Sequence, residues 1–372
     1  MSRVYLDWNA TTPPVREVVD AMAEAARSTW ANPSSAHREG RAARSCVEQA
    51  RQSVAVLAEC DPRDVVFTSG GTEANNLAIR SAFASRRGRL VTSRLEHPSV
   101  TRVAEALERQ GSASVHWLQI TERGIIDIED LERTLLEGGA ALVAVQAVNG
   151  ETGVEQPIDA VIALAKRAGV PVHVDAVQAF GRLAEVAREA DTRSLAGHKM
   201  RGPKSVGALV SRPGVPISPV LLGGAQERGL RPGTVDPVAA AGLAAAARRA
   251  TSSPARWQAV GPLRDMLETG LCALAPGARI HGAGAKRAPH VTNVAFPGWA
   301  GPELVAALDL EGLAVSSGSA CSAGTAEASA ALTAMSDART ARSSVRFSIG
   351  EDTTESDIEF ALAAATRVLH RA

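Results

Sequence analysis

Three residues of this chain have types and placings that could do covalent chemistry. Asp175 stands at the C-terminal end of a β-branched, apolar run from Val170 to Ala176, which reads as a strand buried on both faces. A carboxylate there needs a cation or strong donors beside it, and the carboxyl edge of an open α/β sheet is where ligands bind. Lys199 follows 24 residues later, after Gly197-His198 and before Gly202-Pro203. It is one of only four lysines (Lys166, Lys199, Lys204, Lys286) among 40 Lys and Arg residues. A lysine retained in an arginine-rich chain suits a task closed to arginine, because an amine can form a Schiff base. The pair fits pyridoxal 5'-phosphate, whose aldehyde takes an amine and whose pyridine nitrogen takes an acid. It equally fits an Asp that caps the next helix and a surface lysine. Cys321, in a loop of small residues from Ser316 to Gly324, offers an accessible thiol for nucleophilic chemistry, or is an incidental loop cysteine.

The elements that must position these residues alternate. Short apolar strands are predicted at Val65–Phe67, Leu90–Thr92, Val115–Ile120, Ala141–Val148 and Val206–Ser211. Amphipathic helices are expected between them at 99–110, Ile128–Leu136 and 158–168. This βαβ pattern implies a mostly parallel sheet with helices on both faces. Before it come a short strand and turn at 4–12, a helix from Pro13-Pro14 capped by Thr12 with a Val15, Val18, Val19, Met22 and Ala26 stripe, and a second helix over 37–59. The stretch between Phe180 and Ala196 reads as a polar connection. Thr68 to Asn75, with Gly70-Gly71 and hydroxyls opening a helix, can cradle a phosphate or be only a turn. His97 and Asn149-Gly150 fall just after strands, on the edge of Asp175. A glycine-rich loop at 221–234 precedes a helix at 237–250. Ser252-Ser253-Pro254 marks a boundary, followed by a helix at 257–274 and a smaller α/β unit. That unit has strands at Val291–Phe296 and Val345–Ile349, a helix at Glu303–Leu310, and a last helix capped by Thr353 or Thr354. The expected division is a large domain, 14–253, and a small one made of 1–13 with 254–372.

Composition narrows the function classes. A chain of 372 residues exceeds one ordinary core. Its formal net charge is zero and it has no long block of one sign, which argues against nucleic acid or an acidic membrane as partner. No signal-peptide run or bilayer-spanning run is present. Cys46, Cys60, Cys272 and Cys321 have neither paired nor metal-type spacing. A cytoplasmic protein with reduced thiols is the expectation.

Ten stretches, taken in order, resemble the cysteine desulfurases of the NifS/IscS type, within the class V, fold-type I pyridoxal phosphate enzymes. They are Tyr5–Pro13, Asn32–His37, Phe67–Ala78, Glu96-His97, Gly150–Val154, His173–Gly181, Gly197–Lys204, Glu227–Thr234, Ser316–Cys321 and Ser343–Gly350. By that resemblance Lys199 carries the cofactor, Asp175 pairs with its ring nitrogen and Gln178 reaches its hydroxyl. His97 stacks on the ring and moves a proton on the substrate thiol. Gly71, Thr72 and His198 hold the phosphate, with Thr234 donated by the other subunit of a homodimer. Arg346 clamps the carboxylate of L-cysteine, and Asn149 lies beside the substrate. Cys321 accepts sulfur as a persulfide and passes it to an acceptor protein such as an iron–sulfur scaffold. A selenocysteine lyase, a class V aminotransferase and a weakened sulfur-relay protein are the alternatives. Two positions depart from the family pattern: Ala196 stands where a phosphate-binding Ser is common, and Gly150 where a second Asn is common.

Overall fold

The computed structural model describes residues 3–84, 86–184, 186–318 and 329–370. Its strands are β1 (Val4–Tyr5), β2 (Val65–Thr68), β3 (Arg89–Ser93), β4 (Ser114–Leu118), β5 (Ala140–Gln146), β6 (Val172–Asp175), β7 (Thr192–Ala196), β8 (Gly207–Ser211), β9 (Arg279–Ile280), β10 (Val291–Ala295), β11 (Leu313–Ala314) and β12 (Ser344–Ser348). The helices are α1 (Arg16–Ser28), α2 (Arg38–Ala58), α3 (Gly71–Ala82), α4 (Pro98–Arg109), α5 (Ile128–Leu136), α6 (Ile158–Arg167), α7 (Pro237–Ala250), α8 (Pro254–Ala259), α9 (Gly261–Leu274), α10 (Gly301–Leu310), α11 (Ala330–Met335), α12 (Ala338–Arg342) and α13 (Glu355–Leu369).

Seven strands form the main sheet in the order β2-β8-β7-β6-β5-β3-β4. All neighbours are parallel except at β8, which runs antiparallel to both β2 and β7. This is the mostly parallel α/β sheet that the alternation predicts. The inner strands β5, β6 and β7 are almost wholly buried, so both faces need apolar cover. Helices α2, α5, α6 and α7 supply part of it in one continuous core, and α4 packs with β3 and β5 in another. A separate core joins Val4 and Leu6 of the N-terminus to α9, α10, α13, β10 and β12. β1 pairs with β11, some 300 residues away, in parallel register (Val4 with Leu313), so the first residues are built into the C-terminal part of the chain.

Four local expectations need correction. The polar connection contains β7, a central strand. Thr192, Arg193 and Ser194 are polar yet buried, because each is satisfied inside: Thr192 by His173, Ser194 by Asp175, and Arg193 by the carbonyls of Val186 and Ala58. Thr12 does not cap α1, whose N-cap is Val15. Its hydroxyl instead donates to the His198 carbonyl (2.8 Å) and accepts from Arg201 N–H (2.8 Å), tying the N-terminal turn to the lysine loop. In α1 the stripe keeps Val15 and Val18 but turns Val19 and Ala26 outward, with Ala25 inward. The helix expected at 257–274 is two, α8 and α9, broken where Pro262 removes a backbone donor. Thr354 caps α13 in a full capping box with Asp357.

Candidate active site

A cavity of about 230 Å³ opens at the carboxyl edge of the main sheet. It is lined by Gly71, Thr72, His97, Asn149, Asp175, Gln178, His198, Lys199 and Arg346, together with Asn9, Asn75, Glu96, Glu151 and Ala196. Strand topology brings them together: Asp175 ends β6, Gln146 ends β5 and Ser93 ends β3, while Lys199 lies three residues past β7. Thr234 is exposed and does not line this cavity. Cys321 lies outside the described residues.

The expected phosphate cradle falls at the start of α3. Gly70 has φ +148° and Gly71 opens the helix. A Cβ on Gly71 would sit 2.4 Å from Val177 Cγ2, so only glycine lets the backbone N–H groups of this turn lie against the cavity. Such N–H groups, with the helix dipole, attract an anion. His198 faces the same space and is held neutral, with its pKa near 4, by burial and then by Lys199. A neutral imidazole still carries one N–H donor.

Asp175 is buried with its carboxylate surrounded by donors. Asn75 Nδ2 donates to Oδ2 (2.7 Å), and Val177 N–H and Ser194 Oγ donate to Oδ1 (3.1 and 3.3 Å). These donors satisfy the hydrogen-bonding capacity of the buried carboxylate. Lys199 Nζ donates to the carbonyls of Asn9 and Ala10. Gln178 is fixed in orientation: its Oε1 accepts from Arg182, and its Nε2 donates to Asn9 O (3.2 Å). Arg182 is wholly buried, stacked 4.8 Å from the Trp257 ring, and burial and then Arg346 bring its pKa down to about 9.

Arg346 crosses from β12 with Nη2 on Asp7 Oδ1 (2.7 Å) and Nη1 on the Gly150 carbonyl (3.0 Å). Its Nε–H is buried without a hydrogen-bond partner among the described residues. Asn149 lines the cavity, yet its Oδ1 is used by Glu151 N–H, Thr152 N–H and the Thr152 hydroxyl, and its Nδ2 donates to Leu95 O. These contacts shape the turn. Gly150 adds no side chain, and a Cβ there would press to 3.3 Å of Gln178 Nε2.

Sequence reasoning gave no role to Asp7, Asn9, Asn75, Glu96, Glu151 or Arg182. Asp7, Asn9, Asn75, Glu96 and Glu151 stand inside the stretches named above, so they are visible in the sequence; the pairing of Asp7 with Arg346, Asn9 with Arg182 and Asn75 with Asp175 is not. Two buried acids stand out. Burial and then Asp175 push Glu96 up to about 8, and burial raises Glu151, against a hydrogen bond from Ser329 and the charge of Arg346. Cys46, Cys60 and Cys272 are half-buried, and burial raises each thiol above its usual pKa, Cys60 to about 11. None is set up as a ready thiolate.

The pattern of the aminotransferase class-V family matches residues 4–360. A cysteine desulfurase from Cereibacter sphaeroides is 43% identical over 366 residues, covering 96% of this chain and 94% of its own. The chain belongs to the class-V aminotransferase family, among the cysteine desulfurases. Solved structures agree with this family membership. A NifS-like protein superposes with a TM-score of 0.92 at 32% identity, covering 100% of both chains. The structure described as SspA in complex with cysteine superposes at 0.81 with 30% identity, over 93% of this chain and 98% of its own. Among the described residues no helix is long and apolar enough to cross a membrane, and no group of acids, His or Cys is placed to hold a metal.

Proposed function

We propose that this chain is a pyridoxal 5'-phosphate enzyme that converts L-cysteine to L-alanine and leaves the sulfur as a persulfide on Cys321. The observation that carries the reading is the convergence on one cavity of an amine, Lys199, a donor-surrounded carboxylate, Asp175, and a helix N-terminus too tight for any side chain at Gly71. These residues fit the cofactor. Gly71, Thr72 and His198 would hold its phosphate, Asp175 its ring nitrogen, Gln178 its hydroxyl through an amide N–H, and Lys199 its aldehyde. When bound, the cofactor supplies an electron sink for the substrate's α-carbon.

The remaining work belongs to the chain's own residues. Arg346 would take the substrate carboxylate with its unpartnered Nε–H side. Lys199 would remove the proton from the α-carbon and later return one. His97 would take the proton from the substrate thiol. The Cys321 thiolate would then attack the substrate sulfur, forming a sulfur–sulfur bond as the carbon–sulfur bond breaks, and the carbon keeps the bonding pair. Asn149 lines the substrate end and serves chiefly to hold the turn. Ala196 withholds one hydroxyl from the phosphate side.

The same reading extends to assembly. A homodimer would bring Thr234, exposed here, to the partner's phosphate. The exposed apolar run Val220, Leu221 and Leu222 nearby supports a covered surface. Residues 14–253 would form the large domain, and 1–13 with 254–372 the small one; the separate core around Val4 and Leu6 supports this division. The acceptor is a sulfur-receiving protein such as an iron–sulfur scaffold, in the cytoplasm.

An assay of alanine and sulfide from L-cysteine, with and without a reductant, tests the reading. Both products should form, with sulfide release depending on the reductant. Lys199→Ala should lose the visible absorption band of the covalently held cofactor together with product formation. Pyruvate and ammonia in place of alanine, or an unchanged band in Lys199→Ala, would overturn it.

A further inference from the structure

His97 is the N-cap of α4, and its Nδ1 accepts the Ser99 backbone N–H (3.1 Å). A helix-start N–H cannot turn away, so Nδ1 is held as an acceptor and the neutral ring carries its proton on Nε2. The Ser99 hydroxyl also lies 2.8 Å from Nδ1. What this hydroxyl does is decided by Asn75. Asp175 can only accept, so the Asn75 amide must turn Nδ2 toward it. The second Nδ2 proton then goes to Ser99 Oγ (2.8 Å), and Ser99, having accepted there, gives its own proton to His97 Nδ1. Asn75 Oδ1 in turn accepts from His173 Nε2 (3.0 Å), and Thr192 Oγ1 reaches His173 Nδ1 (2.9 Å). From Asp175 through Asn75 and Ser99 to His97 Nδ1, each bond thus runs in one direction.

We propose that Asn75 is a positioning residue that joins Asp175 and His97 into one hydrogen-bond circuit, orienting Ser99 so that it holds His97 in the Nε2–H form. The inference deepens the function proposed above and rests on it for the roles of Asp175 and His97. One amide thus sets the group facing the cofactor nitrogen and the group that handles the substrate thiol proton. Among the described residues, the charged and titratable groups facing His97 are Asp175 from β6, Lys199 from the loop after β7 and Glu96 from its own loop. Burial is the largest influence and lowers the ring's pKa; Asp175 raises it and Lys199 lowers it. All three groups keep their own partners when Ser99 is changed, so Ser99→Ala isolates the circuit, while Asn75→Ala also removes a donor from Asp175.

Selective nitrogen-15 labelling of histidine tests this on the full-length protein, with the His97 signals assigned by their loss in His97→Gln. The parent protein should show His97 as the Nε2–H tautomer with a low titration midpoint. In Asn75→Ala the Ser99 hydroxyl is free to turn and accept from a protonated Nδ1. In Ser99→Ala that hydroxyl donor is gone. Both changes should raise the His97 midpoint by about 0.5–1 pH unit, the worth of one hydrogen bond. A merely structural Asn75 would lower the melting temperature and leave the midpoint in place. A parent protein with His97 protonated on Nδ1, or parental midpoints in the variants, would overturn the proposal. Ser99→Ala decides alone if Asn75→Ala does not fold. The readout needs no turnover, so it is separate from the alanine assay that tests the function itself.

Discussion

At the scale of single residues, the site is made by exclusions as much as by contacts. Gly71 is defined by what cannot be there, since a Cβ would overlap Val177 Cγ2 at 2.4 Å. Gly71→Ala should therefore shift the turn, costing about 1–3 kcal/mol in urea denaturation, and should speed cofactor loss in dialysis. Unchanged stability and retention would show that the turn accommodates a side chain. Asp175, Lys199 and His97 were legible in the sequence because a strand-end acid, a rare lysine and a His after a strand each leave a local signal. Arg182 left none. A buried guanidinium that fixes Gln178 and packs on Trp257 is recognised only once residues 8, 9, 178 and 257 are adjacent.

At the scale of elements, local pattern located strands whose neighbours are apolar and missed β7, whose Thr192 and Ser194 are polar because they bond His173 and Asp175 behind the site, and whose Arg193 is satisfied by backbone carbonyls. The same holds for the loop carrying Thr234. Its Gly-rich sequence reads only as a loop, yet its Glu227 is held in a buried ion pair. Arg51 donates to both Glu227 oxygens, Phe67 N–H at the edge strand β2 donates to one of them, and both side chains are nearly inaccessible. Removing one partner of a buried ion pair strands the other charge. Arg51→Met should thus cost about 3–5 kcal/mol in denaturant unfolding. A loss below about 1 kcal/mol would mean that the pair is not what holds the loop.

At the scale of the whole molecule, buried titratable groups set how stability responds to pH. His173, His198 and His281 are held near pKa 4 by burial, against about 6.5 when unfolded. Between those values the unfolded chain binds more protons, so stability falls as pH drops from about 6.5 to 4. Glu96, at about 8 in the folded protein, has the opposite sign: from about 4.5 to 8 the folded state binds more protons and stability falls as pH rises. His97 and His290 are lowered by burial in the same direction, and Glu151 is raised like Glu96. Five histidines outweigh two acids below about pH 6.5, and the acids act above it, so the melting temperature should peak near pH 6.5. A melting temperature that climbs from pH 6.5 to 8, or stays flat from 6.5 to 4, would contradict this assignment. The proposed function turns on sulfur leaving cysteine for one protein thiol, and the three described cysteines are all raised in pKa by burial. Mass spectrometry of peptides after brief exposure to L-cysteine tests this most directly. One added sulfur on the peptide containing Cys321, and loss of alanine formation in Cys321→Ala, is the predicted result; a persulfide on Cys46, Cys60 or Cys272, or full turnover by Cys321→Ala, would contradict it.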